Sequence, residues 1–197
     1  GELFILAAGD DISYPNRTCE LVDRWQSTKA LGLYSRYDSI DEKGQLLVAN
    51  SLTQGGGEIR RWLNLDSNYH IPLGATSAYD RSVFIGLPFA NSQIFSEDTA
   101  LSFITMLKQG KLSGVESPLV GYRQHDNAWS NHRLYRDDKH SMLAVEARHS
   151  QEAKNYIALC NYLVSLPCFD GFDVKLNSEV TSQILATRRF FEVRLDM

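Results

Sequence analysis

Apolar positions in this chain of 197 residues follow two rhythms. Short apolar runs of strand length, broken by turns and brief helical patterns, fill the first two thirds. A 3.6-residue period takes over from about Asp137. Leu3–Ala8 is apolar throughout, the pattern of a strand covered on both faces of a sheet. It ends at Gly9-Asp10-Asp11. Pro15 then opens a helix at a position it tolerates, and the helix runs through Leu21, Val22 and Trp25 to about Lys29. Ala30–Tyr37 reads as a strand, Asp41-Glu42-Lys43-Gly44 as a turn, and Gln45–Ala49 as a strand pairing back. Glu58–Leu65 predicts a short helix carrying Ile59, Trp62 and Leu63 inward.

Ile71–Tyr79 sets small residues between apolar ones, the mark of a strand whose backbone another group approaches closely. Asp80–Phe84 predicts a turn into one helical turn, and Phe89–Phe95 a loop. Ser96 is placed to cap a helix in which Leu101, Phe103, Ile104 and Leu107 face a core and Gly110 closes the end. Leu112–Val115 and Pro118–His125 read as two successive strands. Met142, Leu143, Val145, Ala153, Tyr156, Ile157, Cys160 and Leu163 lie on one long helix ending before Pro167. A second helix opens at Asn177 or Ser178 and passes Val180, Ile184, Leu185, Phe190 and Phe191, with Arg188, Arg189 and Arg194 on or beside it. The expectation is an α/β sheet domain over residues 1–131 and a helical appendage over 132–197. The appendage packs on the sheet, forms a dimer or touches a membrane surface, and packing fits its mixed charges best.

Composition narrows the classes. With 43% apolar residues and 11% aromatics the chain can bury a sizeable core. A net charge of -4 leaves no basic field for nucleic acid. Cys19, Cys160 and Cys168 are odd in number and lack metal-ligand spacing, which points to a reducing, cytoplasmic compartment, free or peripheral at the membrane. No apolar run reaches the roughly 18 residues of a membrane span. Leu3–Ala8 is short, lacks a basic leader and runs into Asp10-Asp11, so it is not read as a signal peptide.

Three places carry candidate chemistry. Glu97 and Asp98 stand in the first turn of a buried helix, where the positive end of the dipole favours carboxylates. They are either dipole partners only or a fixed carboxylate pair suited to general-base work. Asp10 and Asp11 follow an interior strand on the side where open α/β sheets bind ligands. They either cap the next helix or hold a divalent cation, Mg or Mn, through oxygen. His125 is a metal ligand or a hydrogen-bonded surface group. Gln54-Gly55-Gly56-Gly57 reads as a linker or mobile lid, because it lacks the Lys-Ser/Thr of a phosphate loop.

Four pieces stand in a recognisable order: Ala7-Ala8-Gly9-Asp10-Asp11-Ile12-Ser13-Tyr14-Pro15-Asn16-Arg17, Gly74-Ala75-Thr76-Ser77-Ala78-Tyr79-Asp80-Arg81, Ser96-Glu97-Asp98-Thr99 and Tyr122-Arg123-Gln124-His125-Asp126-Asn127. Together they resemble the second half of a family 2 glycosyltransferase of the GT-A fold, over about residues 1–131. The resemblance implies a partial GT-A-like mixed sheet that transfers a sugar from a nucleotide-diphosphate donor to an acceptor hydroxyl, with inversion. It implies that Asp10, with His125, binds a divalent cation on the diphosphate. Gly9, Asp11 and Arg123 would contact the donor, Arg123 as a bidentate partner of a phosphate. Asp98, with Glu97 beside it, would be the base that takes the acceptor proton. The acceptor would be a glycan or lipid-linked sugar. The first carboxylate of the family's Asp-X-Asp motif falls on Ala8, a departure that puts the ribose or diphosphate contact in doubt.

The family's N-terminal nucleotide-binding half has no counterpart here, and a domain opening on an interior strand needs neighbours from elsewhere. Two expectations follow: Leu3–Ala8 pairs with a second copy or is covered by the C-terminal helices, and nucleotide-sugar binding is weak. The alternative function is a non-catalytic sugar- or partner-binding module on a degenerate scaffold. A metal-dependent hydrolase using Asp10, Asp98 and His125 ranks third, because no histidine pair stands at ligand spacing.

Overall fold

The computed structural model describes residues 1–52, 72–87, 97–108, 110–124, 139–166 and 178–195. They fold as mixed α/β: a six-stranded sheet with helices. Gln54–Gly57, Glu58–Leu65, Phe89–Ser96, His125 and Cys168 lie outside the described residues. The described residues divide into two compact units, one built on the sheet and one on the C-terminal helix pair.

In the sheet unit the chain runs β1 (Leu3–Ile5), β2 (Ile12–Ser13), α1 (Arg17–Thr28), β3 (Gly32–Ile40) and β4 (Leu46–Ser51). Then follow a 3-10 turn at Gly74–Thr76, β5 (Ser77–Asp80), a second 3-10 turn at Arg81–Val83, α2 (Glu97–Leu107) and β6 (Leu112–Arg123). The strand order is β1-β5-β3-β6-β2, with β4 paired to β3. Among the described strands β3 and β6 pair parallel and the other pairs are antiparallel. One edge of β3 pairs with β6 along its length. The other is shared: Gly32–Tyr34 pair with β5, and Tyr37–Ile40 with β4.

Leu21, Ala30, Leu33, Ala78 and Leu119 form the buried centre, with Leu3, Ile5, Trp25 and Val115 packed against it. Each large side chain buried there contributes about 1.5–3 kcal/mol. They come from α1, β3, β5 and β6, so helix and sheet share one core. Lys29 ends α1 in the left-handed region at φ 54°, donating its N–H to Trp25 O at 2.9 Å. Gly44, at φ 83°, makes the β3–β4 turn possible. Asp41 fixes that turn by accepting from Lys43 N and Gln45 N at 2.9 and 2.7 Å.

Four sequence expectations change. The apolar run Leu3–Ala8 gives a strand of only three residues, with Phe4 43% exposed and Ala7 and Ala8 exposed beyond it. Among the described residues β1 pairs on one side only, with β5. The two strands expected after Gly110 are one. Against the parallel partner, Ser35 faces Val115 and Arg36 faces Pro118, so Glu116 and Ser117 bulge out and the strand continues. Pro118 sits at this bulge, where its missing N–H breaks no regular ladder. Residues Gly74–Thr76 wind into a 3-10 turn before the strand, because Thr76 N donates to Leu73 O at 3.0 Å. In α2 the buried face is Thr99, Ala100, Ser102, Phe103, Ile104 and Thr105, while Leu101 and Leu107 are half-buried. Phe103 and Ile104 thus face the core as expected, and small residues supply the contact surface where Leu101 and Leu107 were expected. Gly110 does close that helix end, donating to Thr105 O at 2.9 Å.

The second unit holds α3 (Lys139–Ser165) and α4 (Ser178–Leu195), packed against each other. Ala153, Leu159, Cys160 and Leu163 are buried on α3, and Ile184, Thr187 and Phe191 on α4. Tyr156 stacks on Phe191 with ring centroids 4.7 Å apart. Burial pushes the Cys160 thiol up to about 12, against the opposing pull of Arg188, so it behaves as a small apolar side chain. Arg188 and Arg189 both pair with Glu192. No described helix is long and apolar enough to cross a membrane.

Candidate active site

The segment after β1 is where acidic residues gather. Asp10 is exposed, and its backbone O accepts from Arg123 Nε at 2.7 Å. Asp11 is half-buried. Its Oδ1 accepts from Arg123 N at 2.8 Å, which ties the acidic loop to the end of β6. Its Oδ2 is buried and has no hydrogen-bond partner. Burial pushes the Asp11 carboxyl above the usual range, and the Asp10 charge adds to this. The hydrogen bond from Arg123 and the charges of Arg123 and Arg17 pull the other way. Gly9 is exposed, and a side chain there would meet nothing within 4 Å, so the backbone there is open to solvent.

Arg123 spends its guanidinium on backbone oxygens. Besides Asp10 O it donates from Nη1 to Asp41 O at 3.0 Å and Glu42 O at 2.6 Å. It thereby clamps the acidic loop to the β3–β4 turn. Two of its nitrogens are thus engaged with carbonyls, where the resemblance implied a bidentate phosphate contact.

The second carboxylate group sits at the start of α2. Asp98 Oδ2 accepts from Gly74 N at 3.1 Å, and its Oδ1 from Thr99 N at 2.6 Å and Thr99 Oγ1 at 3.3 Å. Burial raises its proton affinity despite these donors, because the loss of water outweighs three hydrogen bonds. Glu97 is exposed along much of its length. Burial of its carboxyl, with the neighbouring Asp98 charge, pushes it up as well. The close approach expected along Ile71–Tyr79 is made here: a Cβ on Gly74 would lie 2.8 Å from Glu97 Oε1 and 3.4 Å from Asp98 Cβ. Behind the pair, Tyr79 shares a 3.1 Å hydrogen bond with Ser102 Oγ, and burial pushes its hydroxyl up to about 12.

Arg17 links the turn that holds Asp98 to the segment leading into Asp10 and Asp11. Asp98 takes the N–H of Gly74. The next residue, Ala75, gives its carbonyl to Arg17, whose Nη2 lies 2.6 Å from Ala75 O and 2.6 Å from Leu6 O. Leu6 is the residue after β1, on the path to Asp10 and Asp11. The carboxylates are 88 positions apart in sequence (98 minus 10) yet are linked through one arginine and one three-residue turn.

Arg17 was not singled out by sequence. It sits in the first turn of α1, where an arginine usually points to solvent; here it is 3% exposed. No periodicity distinguishes the two cases. The Gly74 contact was legible only as a run of small residues.

An orphaned, buried carboxylate oxygen fits a hard divalent cation, which takes oxygen ligands. Asp11 with Asp10 would supply two such ligands. Among the described residues there is no group of three or more histidine, cysteine or acidic side chains placed to hold a metal. No family model matches this sequence, and no curated protein matches it.

Proposed function

We propose that this chain is a glycosyltransferase-type domain that moves a sugar from a nucleotide-diphosphate donor to an acceptor hydroxyl, with inversion. The observation that carries the reading is Asp98: a half-buried carboxylate with raised proton affinity, fixed by Gly74 N and Thr99 N. It accepts from Gly74, in a turn that Arg17 ties to the segment leading into the acidic loop. The order of the four sequence pieces supplies the rest of the argument.

The acceptor oxygen attacks the anomeric carbon from the face opposite the diphosphate. A carbon–oxygen bond forms there, the bond to the diphosphate oxygen breaks, and Asp98 takes the acceptor proton. A carboxylate whose proton affinity is raised by desolvation is a stronger base than a free one. Gly74 N and Thr99 N hold it in one orientation, which lowers the entropic cost of the transfer. A divalent cation bound at Asp10 and Asp11 would neutralise charge on the departing diphosphate. The proposed partners are therefore a nucleotide-diphosphate sugar and a glycan or lipid-linked sugar acceptor.

A second reading has one observation of its own. Ala8, which stands where the resemblance implies a carboxylate, is exposed beside Ala7 and Gly9, so the donor side has one acidic ligand fewer. A binding module on the same scaffold would tolerate that. Donor turnover separates the readings. A panel of nucleotide-diphosphate sugars is incubated with and without glycan acceptors in manganese or magnesium. Acceptor-dependent release of nucleotide diphosphate is expected. Binding by calorimetry with no release under any acceptor would move the assignment to the binding module.

A further inference from the structure

Arg17 is a buried cation that makes no ion pair among the described residues. Its Nη1 donates to Ser13 Oγ at 2.7 Å, and its Nη2 to Leu6 O and Ala75 O, both at 2.6 Å. Its Nε is buried without a partner. All three acceptors are uncharged, so no ion pair offsets the cost of taking this charge out of water. Burial lowers the proton affinity of the guanidinium, and only the Asp11 charge opposes that. A tie within one loop needs no such group, since a serine or an amide would serve. What the arginine alone offers is reach and a planar fork that meets several acceptors at once. The acceptors belong to three segments: the exit of β1, the short strand β2 and the turn before β5. The first two bracket Asp10 and Asp11. The third holds Asp98 through the N–H of Gly74.

We propose that Arg17 is a positioning residue that couples the Asp10-Asp11 loop to the turn holding Asp98, so that the two carboxylate groups move as one body. The catalytic meaning of the coupling rests on the glycosyltransferase reading. The coupling itself is a mechanical property and is tested without substrate. Loss of the fork frees Leu6 O and Ala75 O together, and both segments then open independently of the rest of the sheet.

The test is amide hydrogen exchange on the full chain as Arg17→Met and Arg17→Lys. Leu6 N, bonded to Ser77 O, and Tyr14 N, bonded to Leu119 O, report on the first loop. Gly74 N and Thr76 N report on the turn. In Arg17→Met, exchange at both sets is expected to rise together by about tenfold or more, with residues 113–115 of β6 unchanged. Millimolar guanidinium added back is expected to reverse part of the rise. Arg17→Lys keeps the charge but has one nitrogen for three acceptors, so a smaller rise at both sets is expected. A rise at one set alone shows a bolt for a single loop and overturns the proposal, as does no rise at either. If Arg17→Met fails to fold, Arg17→Lys decides by the same criterion. Coupled exchange in a chain that turns over no donor would leave the coupling standing and remove the glycosyltransferase reading.

Discussion

Asp98 combines three donated hydrogen bonds with a raised proton affinity, and that balance can be tested by pH. The base works when ionised. Its activity is therefore lost as pH falls through a value above the roughly 3.9 of a free aspartate. The sign for stability is opposite to that of a salt-bridged carboxylate. A folded-state value above the unfolded one contributes stability that is fully present below the unfolded value and is lost as pH rises through the folded one. Asp98→Asn is expected to lower transfer by about 10²–10⁴-fold, measured as acceptor-dependent release of nucleotide diphosphate. A variant retaining most of its activity would remove Asp98 from the role of base. Asp80 behaves the other way. Burial pushes its carboxyl up, but Ser82, donating from N at 2.8 Å and Oγ at 2.6 Å, and Trp25 Nε1 at 2.9 Å outweigh it and bring it below the usual range. Its contribution is present above the unfolded value and is lost as pH falls through the folded one. Asp80→Ala is expected to cost about 1–2 kcal/mol at neutral pH, with the gap to the parent closing below about pH 4 in urea titrations. At this scale the sequence showed which carboxylates stand at element ends. It did not show Arg17, because burial of a long cation depends on acceptors up to 58 positions away.

At the scale of elements, helices were the most legible. The patterns for α1, α3 and α4 match the observed spans to within a few residues, since an apolar stripe at 3.6-residue spacing has few other uses. Strands were less so. The run from Leu112 to Arg123 looked like two strands because Glu116-Ser117-Pro118 reads as a break, and only the parallel partner shows a bulge. In α2 Phe103 and Ile104 are buried as their spacing predicts, whereas Thr99, Ala100, Ser102 and Thr105, which share that face, carry little hydropathy signal. The strand β4 is the clearest departure from ordinary surface design. Leu46, Leu47 and Val48 are 60%, 51% and 57% exposed, on a strand that carries no charged residue. Edge strands normally guard themselves with lysine or proline. Leu47→Lys is expected to change unfolding stability by less than about 0.5 kcal/mol while raising the protein concentration at which light scattering detects aggregates. A loss of several times that stability would mean that Leu47 packs against something in the native state.

At the scale of the whole molecule, the order β1-β5-β3-β6-β2 leaves β1 at one end of the sheet. The apolar run Leu3–Ala8 was expected to be interior, and its residues are the kind that interior strands use. In the sheet β1 instead has one neighbour among the described residues, and Phe4 is partly covered by the Phe84 ring at 5.0 Å. The hydrophobic pattern reports what a strand is suited to, whereas the pairing depends on which segments are present to meet it. The antiparallel register makes this testable one amide at a time. Arg81 N donates to Glu2 O and Leu6 N to Ser77 O, so residues 2, 4 and 6 face β5 with their hydrogen-bonding groups. Leu3 and Ile5 therefore turn their N–H groups to the opposite edge. In dilute solution the amides of Leu3 and Ile5 are expected to exchange much faster than those of Phe4 and Leu6, read residue by residue by nuclear magnetic resonance. Protection of Leu3 and Ile5 that grows with protein concentration would show a strand from a second copy completing the edge. Equal protection of all four amides at every concentration would overturn the one-sided pairing.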